Sequence, residues 1–168
     1  CERAVEVRIP PPPPTSREED MVHFPACTFT MGPDPTDALR SPAYEVSLES
    51  FRMDRYPVTV GEYTAFLNEG DHGEHYDTRM RIPERCGIIR TAGRYEIVPG
   101  RADHPIVYVS YEGALAYAES KGKTLPTEAQ WERAARGEEG RTYAWGDAPI
   151  TPALANYDFH YGGTTPVG

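Results

Sequence analysis

The residues in this chain best able to do chemistry are its cysteines, Cys1, Cys27 and Cys86. A thiolate is both a nucleophile and a soft metal ligand, so thiol spacing is the first thing to weigh. None of the cysteines forms a CxxC pair or stands with a histidine at zinc spacing, which favours structural thiols over a metal centre. Cys27 and Cys86 could pair, but spacing alone does not fix the geometry that a disulfide needs. Cys1 reads differently. A chain that opens on Cys rather than Met fits a mature product whose leader has been removed. Bacterial lipoproteins begin in this way, with lipid on the first cysteine and a tether behind it. This reading gives lipidation at Cys1 and a lipid-anchored place in the bacterial cell envelope, on its periplasmic or surface side, with membrane contact only through that lipid. A chain boundary that happens to fall on a cysteine is the alternative.

Other reactive side chains read as structural. His72 and His75 are three apart, a spacing that binds metal on a helix, but they fall in a stretch rich in Gly and Asp. His104 precedes Pro105 and reads as fixing the start of a strand rather than as a proton shuttle. Glu132 and Arg136 have i,i+4 spacing and suit a scaffold ion pair. The formal net charge of −9, from 26 acidic and 17 basic residues, argues against a nucleic-acid partner. No run of about 18 apolar residues is present, the length a helix needs to cross a membrane.

The elements that would position these groups follow from periodicity and caps. Residues 1–20 form a tether with proline at every position from Pro10 to Pro14, a stiff polyproline segment. From Met21, the pieces 22–24, 28–31 and 44–48 alternate apolar and polar residues and run towards 51–54, which predicts a hairpin or small sheet. Gly32-Pro33-Asp34-Pro35 marks a turn between them. Thr59 and Glu62 form a capping box, followed by Val60, Tyr63, Thr64 and Leu67 on one helical face, with Gly70 as the stop. Between Asp71 and Pro105 only 94–98 is strand-like. A second helix starts at Ser110 with Ala114, Leu115, Tyr117 and Ala118 inward and ends at Gly122. A third starts after Pro126 with the capping box Thr127–Gln130, buries Trp131, Ala134 and Ala135, and closes at Gly137. Seventeen Pro and 15 Gly with few helices point to a loop-rich α+β domain over 21–168. Eleven Tyr, 5 Phe and 2 Trp supply the bulk that such a core needs.

Several segments in order carry a resemblance. They are Phe29-Thr30-Met31-Gly32, then Met53-Asp54-Arg55-Tyr56-Pro57-Val58-Thr59, then His104-Pro105-Ile106-Val107-Tyr108-Val109-Ser110-Tyr111. After these come Gly122-Lys123-Thr124-Leu125-Pro126-Thr127-Glu128-Ala129-Gln130-Trp131-Glu132-Arg133, then Tyr143-Ala144-Trp145-Gly146, Ala155-Asn156 and Gly163-Thr164-Thr165-Pro166-Val167-Gly168. Together they resemble the sulfatase-modifying-factor family of the formylglycine-generating enzymes over about 22–168.

The resemblance implies a loop-rich fold similar to C-type lectins. It implies an oxidase that uses copper and molecular oxygen to convert a cysteine to formylglycine, or a relative without that chemistry. In the family the domain continues past the Thr-Thr-Pro-Val-Gly motif to two copper-binding cysteines, so residues 21–168 match its N-terminal portion, truncated on the C-terminal side. Neither Cys27 nor Cys86 matches a copper position, and Ala118 stands where active enzymes often carry a disulfide cysteine, so no catalytic residue is carried over and copper belongs only to a form with a C-terminal half. The family also implies calcium at Asn156, the carbonyl of Tyr157, and Asp158, with Tyr161 offering a further carbonyl. A turn capped by Asn156 is the competing reading. The expected function is a non-catalytic binding or scaffolding domain with a protein or peptide partner, the alternative being the oxidase. An N-terminal portion alone is expected to leave apolar surface exposed.

Overall fold

Residues 20–32, 42–70, 72–76 and 83–168 are described by the structure, a computed structural model. Cys1, the tether and the turn at 33–35 lie outside the described residues. The alternating segments pair as expected, as one antiparallel ribbon in two lengths. Strand β1 (Met21–Phe24) pairs with β4 (Phe51–Asp54), and β2 (Cys27–Met31) pairs with β3 (Tyr44–Leu48). Phe24 faces Phe51 and Cys27 faces Leu48, so both ladders keep a single register. The ladder is interrupted beside Pro25, which has no N–H to donate. At the break Phe24 and Phe51 stack with ring centroids 4.8 Å apart. Along β2, Phe29 and Met31 turn inward while Thr28 and Thr30 face solvent.

Helix α1 (Val60–Asn68) starts at the capping box read from sequence. The Glu62 N–H donates to Thr59 Oγ1 at 3.2 Å, and the Thr59 N–H donates to Glu62 Oε2 at 2.8 Å. Its buried face is wider than the expected stripe, because Phe66 is fully buried as well. The helix is covered by β6 and by α3, so two faces are apolar rather than one. Gly70 is not a left-handed cap. The helix ends instead at Glu69, in right-handed conformation, whose N–H bonds to the Phe66 carbonyl.

The described residues between 72 and 105 hold more regular structure than their composition suggests. They include a short 3₁₀ turn (Gly73–His75), α2 (Pro83–Cys86), and the hairpin β5 (Ile88–Thr91) with β6 (Arg94–Ile97). Ala92 and Gly93 close that hairpin with φ of 48° and 85°, the twist that a two-residue hairpin loop requires. Strand β5 escaped the sequence reading because Ile88-Ile89 is too short a run to show a period.

Helix α3 (Tyr111–Ser120) is capped by Ser110, which accepts from the Gly113 N–H. It buries Gly113, Tyr117 and Ala118, while Ala114 and Leu115 are only half-buried, so the buried stripe is narrower than expected. It stops as predicted at Gly122, whose φ of 67° allows the N–H groups of Gly122 and Lys123 to bond back to the carbonyls of Glu119 and Ala118. Helix α4 (Glu128–Arg136) has the expected caps at Thr127 and Gly137. Its facing is different. Trp131 is 63% exposed, and Arg133 is the buried residue.

The core joins Val60, Tyr63, Phe66 and Leu67 of α1 to Tyr76, Cys86, Ile88, Tyr95 and Tyr117. Tyr63, Phe66 and Tyr117 form a ring cluster with centroids 5.4 to 5.8 Å apart. Among the described residues, three small two-stranded sheets and four helices joined by irregular backbone make a loop-rich α+β fold.

Candidate functional site

The thiols are held in two separate structural settings. Cys27 begins β2, where α4 crosses it, and the buried Arg133 donates from Nε to Cys27 Sγ at 3.2 Å. Arg133 also pairs with Glu138 and lies over the Phe24 ring, 5.8 Å from its centroid. Cys86 ends α2 inside the core, fully buried, and its Sγ accepts the Ile88 N–H at 3.3 Å. Each sulfur is held by its own partner and not by the other, so the disulfide left open by the sequence is not formed. Copper(I) needs converging soft ligands. Cys27 sits against a guanidinium and Cys86 against a core backbone amide, with no neighbour in common in these contacts, so the pair does not fit a copper site.

The histidines also find structural partners. His72 and His75 do come together, with ring centroids 6.1 Å apart, and both stack on Phe66. Glu74 lies 3.6 Å from His75 Nε2. Among the described residues no group of three or more His, Cys, Asp and Glu gathers as a metal site. His104 stands within 2.9 Å of Thr164 Oγ1 through Nδ1, and its carbonyl accepts the Val60 N–H. Burial, and then the Arg101 guanidinium, lower its pKa below the ordinary 6.5. No full strand starts there. Pro105 makes one isolated bridge to Thr59, Ile106 bonds to Val58, and Val167 bonds to Asp103. The His-Pro motif thus fastens the last motif of the chain to the start of α1.

The Asn156 segment is an exposed loop. Asn156 Nδ2 donates to the Gly163 carbonyl at 2.7 Å and closes the loop across its base. The Tyr157 carbonyl accepts the His160 N–H, and Tyr161 Oη donates to the Pro152 carbonyl. Asp158 and Phe159 have φ of 50° and 52°, unusual for residues other than glycine, and Phe159 is 85% exposed. The loop is thus closed at its base by Asn156, whose side-chain amide N–H is the donor.

Two features were not legible in the sequence. In the first, Glu132 Oε1 accepts the Gly32 N–H at 2.8 Å while Arg136 Nη1 donates to the Gly32 carbonyl at 2.6 Å. The expected Glu132–Arg136 ion pair, at 2.9 Å, thus clamps a single residue at the end of the ribbon. The second is a cavity of about 190 Å³ between β4 and the start of α1, lined by Asp54, Pro57, Val58, Glu62 and Tyr117 among others. Burial, then the carboxylates of Glu62, Asp54 and Glu69, push the Tyr117 phenol well above its ordinary pKa. Periodicity marks Tyr117 as core and the capping box accounts for Glu62, so no local signal announces that the two share a cavity.

Comparison with known proteins agrees with the motifs. Residues 7–166 match the family model described as the sulfatase-modifying factor enzyme 1-like domain. The chain is 35% identical over 168 residues to the serine/threonine-protein kinase Pkn1 of Chlamydia trachomatis, covering 98% of this chain and 27% of that protein. It is 32% identical over 191 residues to the formylglycine-generating enzyme of Thermomonospora curvata, covering 95% of this chain and 62% of the enzyme. The fold is similar to that of PvdO from Pseudomonas aeruginosa, with a TM-score of 0.50 at 24% identity over 84% of this chain and 58% of that one. The chain thus spans less than two thirds of these relatives. Family model, relatives and fold agree, and the chain belongs to the sulfatase-modifying factor enzyme 1-like, formylglycine-generating-enzyme family.

Proposed function

We propose that this domain binds or scaffolds a protein or peptide partner and does not itself oxidise cysteine. The observation that carries this reading is the use of both described thiols. Cys27 is engaged by Arg133 and Cys86 is sealed in the core, so neither is placed to share a copper ion. Exposed aromatic side chains support a binding role, among them Tyr111 at 68%, Trp131 at 63% and Phe159 at 85% exposure. A calcium ion at Asn156, the Tyr157 carbonyl and Asp158 would stiffen the loop at 156–163. A rise in melting temperature with calcium that EDTA reverses is the expected outcome, and no rise removes calcium from the reading.

The oxidase is the second reading. It is favoured by the 32% identity to an enzyme named for formylglycine generation. The test loads the protein with copper(I) and supplies a cysteine peptide and oxygen. No aldehyde, read with an aldehyde-specific label, is the expected result. Aldehyde at the cysteine would overturn the binding reading in favour of the oxidase.

A further inference from the structure

The cavity beside α1 has a mixed character that neither the fold nor the caps demand. Pro57, Val58 and Val167 give it apolar walls, while Asp20, Asp54 and Glu62 bring carboxylates to its lining. Arg55, also in the lining, and Lys123, bound to Asp54 Oδ1 at 2.6 Å, offset two of those charges. Glu62 uses Oε2 in the helix cap, and its Oε1 has no hydrogen-bond partner among the described residues. Tyr117 is the independent sign of a ligand. It is only 7% exposed and lines the cavity, yet its hydroxyl makes no hydrogen bond among the described residues. The hydroxyl is not closed off, since among the described residues Arg101 Nε is the one sealed side-chain atom without a partner, so a ligand head group can reach it from the cavity.

We propose that this cavity binds the primary ammonium of an unbranched alkylamine, with Glu62 and the Tyr117 hydroxyl receiving the charged head and Pro57, Val58 and Val167 packing on its carbon chain. The pairing follows from chemistry already present at the site. Asp54 holds an alkylammonium of this chain, Lys123, at charge-assisted distance, so the carboxylates here accept that head group. An ammonium donates three hydrogen bonds from a compact head, and its alkyl stem suits apolar walls. Among the described residues no three or more His, Cys, Asp and Glu gather closely enough to hold a metal ion, so these carboxylates do not converge as a metal site. The proposal goes beyond the binding reading above and does not depend on it, because an oxidase built on this domain would carry the same cavity.

The test titrates n-butylammonium chloride into the isotope-labelled full chain and follows amide shifts, with n-butanol as a neutral mimic of the same shape. Saturable shifts centred on Thr59, Glu62 and Tyr117 with the amine alone are expected. Glu62→Gln removes the charge while keeping a side chain that serves at the third position of a capping box. Tyr117→Phe keeps the ring and removes the hydroxyl. Each variant is expected to weaken binding about tenfold. Equal response to n-butanol, or an unchanged Kd in Tyr117→Phe, overturns the proposal, and the second criterion holds even if Glu62→Gln proves unstable. Nα-acetyl-lysine amide separates the sources of the head group. Tighter binding than n-butylammonium identifies a protein lysine as occupant, and weaker binding a free amine.

Discussion

The surroundings of α1 and those of α4 are alike in backbone order, but different forces hold them. Around α1 the contacts are apolar: Val60, Tyr63, Phe66 and Leu67 are at most 2% exposed and touch aromatic neighbours from β6 and α3. Around α4 the contacts are polar and directed: Arg133 to Cys27, Glu132 and Arg136 to Gly32, and Arg136 again to the carbonyls of Gly140 and Arg141. Apolar contact is non-directional and tolerates repacking. A hydrogen-bonded clamp is directional, and removing one member leaves the other unpaired. The two halves of this fold should therefore respond differently to substitution.

The largest effect is expected in the apolar half. Phe66→Ala removes a fully buried ring that touches Tyr63, Tyr117 and His72. It should cost about 3–5 kcal/mol in urea unfolding. A loss below about 1 kcal/mol would mean that the core can collapse around the gap, and the contrast with α4 would weaken.

Next in size is the clamp. Arg136→Met keeps most of the stem but leaves the Gly32, Gly140 and Arg141 carbonyls without their donor. A loss of about 1.5–3 kcal/mol is expected. Arg136→Lys separates directional bonding from charge. A single ammonium cannot reproduce the planar fork that reaches three carbonyls and Glu132, so lysine should recover little of the loss. Full recovery with lysine would show that charge alone holds α4.

The caps give a smaller comparison within the same pair of helices. Both capping boxes have the same chemistry, but Thr59 is 6% exposed whereas Thr127 lies at the surface. Thr59→Ala should cost about 1–2 kcal/mol and Thr127→Ala about 0.5–1 kcal/mol, because water replaces a lost cap only where it can reach. Equal losses would show that burial does not add to the α1 cap.

The His104 contact between Thr164 and the start of α1 responds to pH. His104 has a folded-state pKa below 6.5, lowered by burial and by Arg101, so the folded protein favours the neutral ring. Its contribution to stability is present above the unfolded value and is lost as pH falls through the folded value. Melting temperature measured across the histidine range should fall on the acid side in the parent, and that part of the slope should vanish in His104→Asn. An unchanged slope would assign the acid response to other groups.

What the sequence made legible divides along the same line. The caps at Thr59, Ser110 and Thr127 and the stops at Gly122 and Gly137 were readable because each is made by residues within a few positions of one another. The ribbon was readable because alternation is also local. The inward turn of Arg133 was not. A buried guanidinium is permitted only by partners such as Cys27, which lies 106 residues away, and no periodicity encodes that distance. The Tyr117 cavity failed for the same reason, since Asp54, Glu62 and Tyr117 meet only when α3 packs on α1. The bond from Asn156 to the Gly163 carbonyl joins residues seven apart in an irregular loop, a contact that neither a cap nor a period announces.

The smallest effect bears most directly on the comparison, because sequence and structure disagree about it. Periodicity places Trp131 on the apolar face of α4, and a core tryptophan replaced by alanine would cost about 3–5 kcal/mol. In the structure the side chain is 63% exposed, and α4 is attached through Glu132, Arg133 and Arg136 instead. Trp131→Ala should therefore change stability by no more than about 0.5 kcal/mol in urea unfolding. Paired with Arg136→Met, it shows whether the energy of this helix lies in its ring or in its clamp. A loss above about 2 kcal/mol would mean that the ring is covered in solution and that α4 is held, like α1, by apolar contact.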